Sequence, residues 1–514
     1  MHKMIEKHKH KKQMLLLLES CEDNNLIRKL PDSILSHILS SLTIREAVRT
    51  SILSSEWRYI CTNRTDLVLD AENILDVEQQ HYSVANLCCH MSEVHRFMAK
   101  KSRTYAFVDS VKSYLSRLSE VRKVVKLKVC FTIRRYSYGC NDLDDWINFA
   151  IDKNVEEIDL CLLEEEGQIH HARYDDDDGG GALYVFPCDI VGKESETAEK
   201  NGSKSFLKCL KLAHCILAPY KSYNYGFTTL TSMELIKVDL VSGEHMLNLL
   251  ASCTNLEWLS FSECYNMEYL KIEHPFCQKL KYLNVNLCYH LKAIVLRSSN
   301  LETLEYKGSV IDFFFDAPRL RTVFSHVSAS TASHREIWPV FRLPTDLPYL
   351  ETLFLECSCY MGGVMRKRLP TFPNLRHLIV IKVAVFRQDL SWIVTALKAC
   401  PTLTRLELHL RTYLSIDEEI RKTNWPTFTH NHLKEVAITG IRGHSSEIEI
   451  AIYLLKNATG LEKMIIDPRP RIYLGNGKWG LSEACEDWSR VGKKKVFENL
   501  MQQVCTTSVK LMIY

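Results

Sequence analysis

Apolar residues recur at helical spacing near the start of the chain, between Leu30 and Tyr59. Steps of three and four residues place five of them on one wide helix face. Thr43 and Glu46 have the capping-box spacing that predicts a second helix, and Ser54 is a suitable cap for a third. Three short helices hold too little chain to bury all these faces by themselves, so we expect part of this surface to bind another protein. The five residues of the first stripe are Ile34, Leu35, Ile38, Leu39 and Leu42.

A different pattern, L-x-x-L-x-L followed by Cys, recurs along the rest of the chain. Full copies begin at Leu207, Leu256 and Leu280. The last two apolar residues of each copy alternate as on a strand, so we expect them to point into one core. The Cys or Asn that ends a copy is expected to satisfy backbone groups where the chain turns off the strand. Shortened copies begin at Val155, Met233, Leu301, Leu320, Leu350, Leu375, Leu403, Leu433 and Leu461.

The spacing between copies is 24 residues from Leu256 to Leu280 and 21 residues from Leu280 to Leu301. A period of roughly 20–29 residues is typical of leucine-rich-repeat proteins, which this stretch resembles. Each repeat can bury its apolar side only against its neighbours, so the pattern predicts a solenoid. The alternative of scattered leucines in an ordinary α/β protein is disfavoured, because the same hexad returns in phase.

The repeat pattern is interrupted between about Glu164 and Ser205, where acidic and glycine runs replace it. Few apolar residues are present to offset the entropy of ordering this segment, so we expect a mobile insert. A calcium loop at Asp175–Asp178 is disfavoured. Aligning Gly179 with the loop glycine of an EF-hand leaves no ligand at either end of the loop.

The first apolar segment resembles the F-box of plant proteins. Residues 30–42 match L-P-D-x-I-L-x-x-I-L-S-x-L, and residues 47–57 match A-x-x-T-S-x-L-S-x-x-W in the same register. Ile60-Cys61 stands where Leu-Trp is usual, which leaves less aromatic area for anchoring. The resemblance implies docking on a Skp-type adaptor, and through it on a cullin. The residues expected at that contact are Leu30, Pro31, Ile34, Leu35, Ile38, Leu42, Val48 and Trp57.

The segment from Leu433 to Asp467 resembles the FBD domain that follows F-box and leucine-rich repeats in plant proteins. It predicts a strand at its start, a glycine turn at 440–443, an amphipathic helix over 447–455 and a second strand from Leu461. A repeat array needs such a cap at its end.

These patterns together predict an α/β chain with a three-helix F-box, a curved leucine-rich-repeat solenoid and an α/β FBD cap. The expected boundaries are a disordered basic tail at 1–24, the F-box at 25–66, the solenoid at 67–425, and the FBD domain with a C-terminal cap at 426–514. The resemblance implies a non-catalytic substrate-recognition subunit of an SCF-type cullin ubiquitin ligase. The alternative is a repeat scaffold outside any ligase, with a degenerate F-box.

Composition narrows the remaining function classes. Lys and Arg number 65 and Asp and Glu 62, a net charge of +3 that gives no global attraction for nucleic acid. No window approaches the ~20 apolar residues of a membrane span. Nineteen cysteines without an export signal predict free thiols in a reducing compartment, the nucleus and/or the cytoplasm. The cysteines lack the C-x-x-C pairs of a zinc site, and neither metal nor other cofactor is expected.

A glycine motif near the C-terminus has two interpretations. Residues 475–480 fit G-x-G-x-x-G, the pattern of a dinucleotide-binding turn. Such a site requires a βαβ unit with room for pyrophosphate, which Trp479 would crowd. Asn476-Gly477 is more simply explained as a tight β-hairpin turn.

The repeats also predict a surface for the target protein. Side chains that alternate with the buried ones should face outward on the concave sheet and be exposed. Solenoids bind partners through this surface, and aromatic residues and arginine are enriched at interface hot spots. We therefore expect the target to contact Trp258, Tyr282, Phe354 and Arg405.

Overall fold

The chain forms two compact units, residues 1–184 and 185–514, whose boundary falls inside the predicted insert. Each unit has its own apolar core. The computed structural model describes residues 34, 38, 42–50, 65–76, 93–118, 123–131, 140–162, 183–189, 206–219, 226–274, 276–309, 311–327, 347–357, 371–384, 392–412, 425–483, 488–504 and 508–514.

The first unit contains a parallel sheet of strands β1, β2 and β3, in that order. Leu67, Leu127 and Ile158 form one row across the sheet and are buried. A long helix places Phe107 in the same core, where its ring stacks on Phe131 at 4.0 Å. The elements are α1 (Ile44–Thr50), β1 (Asp66–Asp70), α2 (Ala71–Ile74), α3 (Glu93–Arg117), β2 (Lys126–Cys130), α4 (Cys140–Asp152) and β3 (Glu157–Cys161).

The predicted capping box at the start of α1 is confirmed. The backbone N–H of Thr43 donates to Oε2 of Glu46 at 3.0 Å, and the N–H of Glu46 donates to Oγ1 of Thr43 at 3.2 Å. These reciprocal bonds satisfy donors that have no partner inside the helix.

The second unit is built on twelve parallel strands in the part of it that the structure describes. The buried hexad residues line up across it, as Leu210, Met233, Leu259 and Leu283 show in successive strands. The strands, in spatial order, are β4 (Cys209–Ala213), β5 (Ser232–Ile236), β6 (Trp258–Ser262), β8 (Tyr282–Asn286), β10 (Thr303–Gly308), β12 (Thr322–Val327), β13 (Thr352–Cys357), β14 (His377–Ala384), β15 (Arg405–Thr412), β16 (Glu435–Thr439), β17 (Lys463–Asp467) and β20 (Lys510–Ile513).

Smaller elements complete this unit. A three-stranded parallel sheet contains β9 between β7 and β11, and an antiparallel hairpin joins β18 and β19. They are β7 (Tyr269–Ile272), α5 (Gly243–Ser252), β9 (Ala293–Arg297), β11 (Asp312–Asp316), α6 (Trp392–Ala399), α7 (Ser445–Asn457), β18 (Arg471–Gly475), β19 (Lys478–Leu481) and α8 (Lys493–Val504). No described helix is both long enough and apolar enough to cross a membrane.

One predicted repeat start is wrong by three residues. Met233 pairs with Leu210 and Leu259, which are the second apolar residues of their hexads. The repeat therefore begins at the buried Leu230. The sequence pattern misplaced it because Met233 is itself apolar and starts a similar spacing.

The chain leaves several repeat strands through the same backbone turn. His214, Lys237, Glu263 and Leu287 each follow a strand and have positive φ, between 52° and 62°. The N–H of Lys237 donates to Ser262 O at 2.8 Å, and the N–H of Glu263 donates to Asn286 O at 2.7 Å. Such φ values are uncommon outside glycine, and here each turn bonds to the next repeat.

The predicted role of the hexad cysteines is confirmed at Cys264 and at Cys288, whose Sγ donates to the carbonyl oxygen of Asn286 at 3.6 Å. Cys264 Sγ donates to the carbonyl oxygen of Leu235, 3.3 Å away in the preceding strand. Burial raises the pKa of this thiol well above its usual value, so it remains protonated and can donate.

Part of the predicted mobile insert is packed. Tyr184, Phe186 and Cys188 are buried, and Val185 forms a parallel bridge with Ile216. The apolar residues of this short stretch account for the difference from the prediction. The acidic run and the rest of the insert lie outside the described residues.

The strand–turn–helix–strand order predicted near the C-terminus is confirmed by β16, α7 and β17. The turn requires glycine at position 440, where φ is +72°. A Cβ at Gly440 would lie 2.0 Å from the carbonyl oxygen of Leu410. The turn thus brings the chain against the neighbouring strand before α7 begins.

Candidate functional site

The main sheet of the second unit has one face packed into the core and an opposite face that we call the open face. Its central row crosses strands β6 to β15, one residue per strand, in register. The row is polar at both ends and apolar in the middle. Its members are Ser260, Asn284, Glu305, Phe324, Phe354, Ile379 and Glu407.

The β18–β19 hairpin lies on this open face. The ring of Tyr473 stacks on Phe324, with centroids 4.4 Å apart. The indole of Trp479 lies 6.1 Å from the ring of Phe354 and 5.0 Å from the imidazole of His409. The aromatic residues of the hairpin therefore cover the apolar middle of the row.

The hairpin turn explains the glycine motif. Asn476 and Gly477 have φ of 55° and 70°, and Gly475 before them has φ of 86°. Two successive positive φ values are the mark of a type I′ turn, for which Asn-Gly is the preferred pair. The hairpin interpretation is confirmed, because the motif joins two antiparallel strands.

Glu305 is the first carboxylate that the hairpin contacts, and it is buried. The hydroxyl of Tyr473 donates to its Oε1, and the N–H of Asn476 donates to its Oε2 at 3.0 Å. Asn476 Oδ1 in turn accepts hydrogen bonds from the Tyr282 hydroxyl at 3.2 Å and from Asn284 Nδ2 at 3.3 Å. Burial and the nearby Glu305 carboxylate raise the pKa of Tyr282 and Tyr473, so both phenols remain hydrogen-bond donors.

Glu407 is the second buried carboxylate, and two histidines and two arginines surround it. Its oxygens lie 2.9 Å from His377 Nε2, 3.0 Å from Arg405 Nη2 and 3.4 Å from His409 Nε2. Arg471 of the hairpin adds a guanidinium at 3.8 Å. Burial alone would raise the pKa of Glu407, but the two histidines and Arg405 outweigh it and hold that pKa well below its usual value.

The four predicted target-binding residues lie on the open face, in two groups. Trp258 and Tyr282 stack with centroids 5.4 Å apart and rings nearly parallel. Phe354 lies beside Tyr473 and Trp479 of the hairpin, at 5.9 and 6.1 Å. Arg405 is paired with Glu407 and is partly exposed. Their role in binding a target stays a prediction.

The expectation that all outward side chains are exposed is wrong for part of the face. Glu305 and Glu407 are 4% and 5% exposed, and both are in contact with the hairpin. His409 is fully buried beside Trp479. Ser260 is also buried and accepts a hydrogen bond from Asn284 Nδ2 at 2.9 Å.

Sequence reasoning missed Tyr473, Asn476 and Trp479 as members of this face. The side chains of Tyr473 and Glu305 are 168 residues apart in sequence, and no repeat pattern connects them. The one available signal was the Asn476-Gly477 pair, which predicted the hairpin but not its position.

The predicted adaptor-binding residues are described only in part. Ile34 is helical and 47% exposed. Ile38, Leu42 and Val48 are half-buried. The guanidinium of Arg45 in α1 pairs with Asp76 at 2.8 Å. Four of the predicted residues lie outside the described residues, namely Leu30, Pro31, Leu35 and Trp57.

Comparison with known families gives two matches. Residues 117–494 match the family described as At1g61320/AtMIF1, LRR domain. Residues 27–68 match the F-box domain. The chain belongs to the F-box/leucine-rich-repeat proteins. The first match covers most of the chain and extends through the hairpin to the first turn of α8.

Relatives of this F-box/leucine-rich-repeat protein in Arabidopsis thaliana are similar over nearly their full length. The putative F-box/LRR-repeat protein At5g54820 is 24% identical over 493 residues, which cover 90% of this chain and 93% of the relative. The F-box/FBD/LRR-repeat protein At1g13570 is 24% identical and covers 87% of this chain and 91% of its own length. F-box/LRR-repeat protein 13 is also 24% identical, with 86% and 89% covered.

Proposed function

We propose that this protein is the substrate-recognition subunit of an SCF-type cullin ubiquitin ligase. The F-box would dock on a Skp-type adaptor, and the repeats would hold a target protein for ubiquitin transfer by other subunits. The observation that carries the proposal is the F-box match at residues 27–68 joined to a leucine-rich-repeat domain in one chain. In this role the chain supplies proximity and orientation and performs no chemistry itself.

The C-terminal part is proposed to be an FBD domain. Some of the relatives that are similar over most of this chain carry FBD in their names. In this chain β16, α7 and β17 continue the repeat sheet by two further parallel strands. β20 pairs with β17 as the last strand at this end of the sheet, and a terminal unit of this kind would close the repeat core against water. We also propose a nuclear or cytoplasmic location, because cysteines among the described residues are free thiols, as is usual in a reducing compartment.

The exposed Ile34 supports adaptor docking through the first helix. Ile34 is helical and 47% exposed, so its side chain is accessible to an adaptor. The alternative, a repeat scaffold outside any ligase, is favoured by Ile60-Cys61, which replaces the usual Leu-Trp.

The test is direct binding of the purified chain to a recombinant Skp-type adaptor by calorimetry. Each large apolar side chain buried at the contact contributes about 1.5–3 kcal/mol. Replacing Leu30 and Pro31 together by Ala should therefore weaken binding by roughly a hundredfold or more. Arg49→Ala is the matched control, because its side chain is 70% exposed at the end of α1.

Two results would count against the proposal. If the double variant binds the adaptor as tightly as the natural chain does, the first helix is not the docking surface. If the natural chain binds no Skp-type adaptor, the scaffold alternative is correct.

A further inference from the structure

The hairpin is held on the open face by its side chains. Its backbone hydrogen bonds are internal to the hairpin, apart from the bond that the N–H of Asn476 makes to the Glu305 side chain, and among the described residues none pairs it with a strand of the main sheet. The N–H of Ser482 donates to Pro470 O at 3.0 Å and closes the hairpin at its base. The hairpin could therefore leave the face without breaking the main sheet.

The face beneath the hairpin offers a defined set of contacts. Phe324 and Phe354 provide an apolar floor for two aromatic rings. Glu305 accepts hydrogen bonds from one hydroxyl and one backbone N–H of the hairpin. Glu407 already pairs with His377 and Arg405, and the hairpin adds the guanidinium of Arg471 at 3.8 Å. Hydrogen bonds to a carboxylate are roughly twice as strong as neutral ones, and buried acceptors are costly to leave without donors. The face thus selects for a turn that carries aromatic donors and a cation.

We propose that the open face between Glu305 and Glu407 is a peptide-binding site, and that residues 471–481 occupy it as an intramolecular ligand. Its true ligand would be a turn-forming segment of the target that presents an aromatic hydroxyl and a guanidinium at the positions of Tyr473 and Arg471. This inference rests on the proposed role of the repeats in target recognition. It specifies the chemical class of the recognised segment. It also adds a step in which the hairpin leaves the open face so that the target segment can bind there.

An isolated two-stranded hairpin is marginally stable in water, so this hairpin depends on the face for its structure. Its other side is exposed, with Leu474 65% accessible to solvent. A tethered ligand has an effective concentration in the millimolar range, so even weak contacts keep the site occupied. The apparent affinity of a target segment would then equal its intrinsic affinity multiplied by the fraction of molecules in which the site is free.

The probe is a fluorescein-labelled peptide with the sequence of residues 470–482, added to the full-length protein and followed by fluorescence anisotropy. The variant Tyr473→Phe/Trp479→Ala weakens the attached hairpin and should bind the peptide at least tenfold more tightly than the natural chain does. Adding Glu305→Gln should reverse that gain by at least tenfold. A peptide with Tyr473 and Arg471 replaced by Ala serves as the matched control and should not bind.

Hydrogen exchange measured on the same samples shows whether the hairpin opens. In the natural chain, amides of residues 471–481 should exchange at least a hundredfold faster than those of β16 and β17. Equal protection of the hairpin and these strands would overturn the proposal, because the hairpin would then be a permanent part of the fold. Absence of peptide binding to the Tyr473→Phe/Trp479→Ala variant, with its hairpin exchanging freely, would also overturn it. Neither measurement involves the adaptor, so failure here is distinguishable from failure of the ligase role.

Discussion

Glu447 shows how one side chain can hold a turn at the start of a helix. Its Oε2 accepts hydrogen bonds from the N–H groups of Arg442, Gly443 and His444, at 2.9, 2.9 and 3.0 Å. These donors precede α7 and have no carbonyl partner inside the helix. Burial raises the pKa of Glu447, and the three N–H groups act in the opposite direction by favouring the carboxylate.

Replacing Glu447 by Ala should lower the free energy of unfolding by about 1–3 kcal/mol, because buried N–H donors lose their acceptor. Glu447→Gln is the matched control, since one amide oxygen can take the place of Oε2. The loss for Gln should be clearly smaller when both variants are unfolded in urea. Equal losses for Ala and Gln would mean that charge, and not the single acceptor, stabilises the turn.

Glu407 predicts a pH dependence of stability. Its pKa in the folded chain is held below the ordinary value of about 4.3, so the unfolded chain binds the proton more readily. The stabilisation is therefore fully present above about pH 4.3 and is lost as the pH falls toward the depressed folded value. Comparing Glu407→Gln with the natural chain by urea unfolding should show a stability difference that shrinks between pH 5 and pH 3. A difference that stays constant over this range would contradict the assignment.

At the scale of the element, the hexad could be predicted because every repeat buries the same apolar positions of its strand against its neighbours. Leu259 and Leu283 occupy the same position in adjacent strands, and both are fully buried. Alternation within the strand then fixes which residues face outward. The position of the hairpin could not be predicted in this way. Tyr473 and Trp479 meet Phe324 and Phe354 through contacts between distant parts of the chain, which leave no periodic signal.

Leu283 in β8 and Lys281, just before this strand, allow the effect of core packing on stability to be compared with that of surface charge. Leu283→Ala should lower the free energy of unfolding by about 2–5 kcal/mol, because it leaves a cavity between adjacent repeats. Lys281→Ala removes a solvent-exposed ion pair, in which Nζ lies 2.8 Å from Oε2 of Glu257. Exposed pairs contribute little, so this variant should unfold at the same urea concentration as the natural chain. A large effect at Lys281 would show that the ion pairs between repeats carry the stability of the array.

At the scale of the molecule, the proposed activity divides between the two units. The F-box match lies in the first unit, and the open face with its hairpin lies in the second. The sequence predicted both surfaces through family resemblance and repeat phase. It missed that part of the second surface is already covered, because Glu305 and Glu407 are buried by a segment more than sixty residues further along the chain. Trp258 and Tyr282 form a separate stacked pair on the open face, and the hydroxyl of Tyr282 also donates to Asn476 of the hairpin.

This division predicts that adaptor binding and target capture are lost independently. Trp258→Ala/Tyr282→Ala should lose captured targets in affinity purification under proteasome inhibition, because two stacked aromatic rings of the open face are removed. The same variant should bind the adaptor as the natural chain does. Leu30→Ala/Pro31→Ala should show the opposite result, with targets retained and the adaptor lost. Circular dichroism of each variant supplies the control for folding. If either double variant, properly folded, loses both partners, the two surfaces do not act separately.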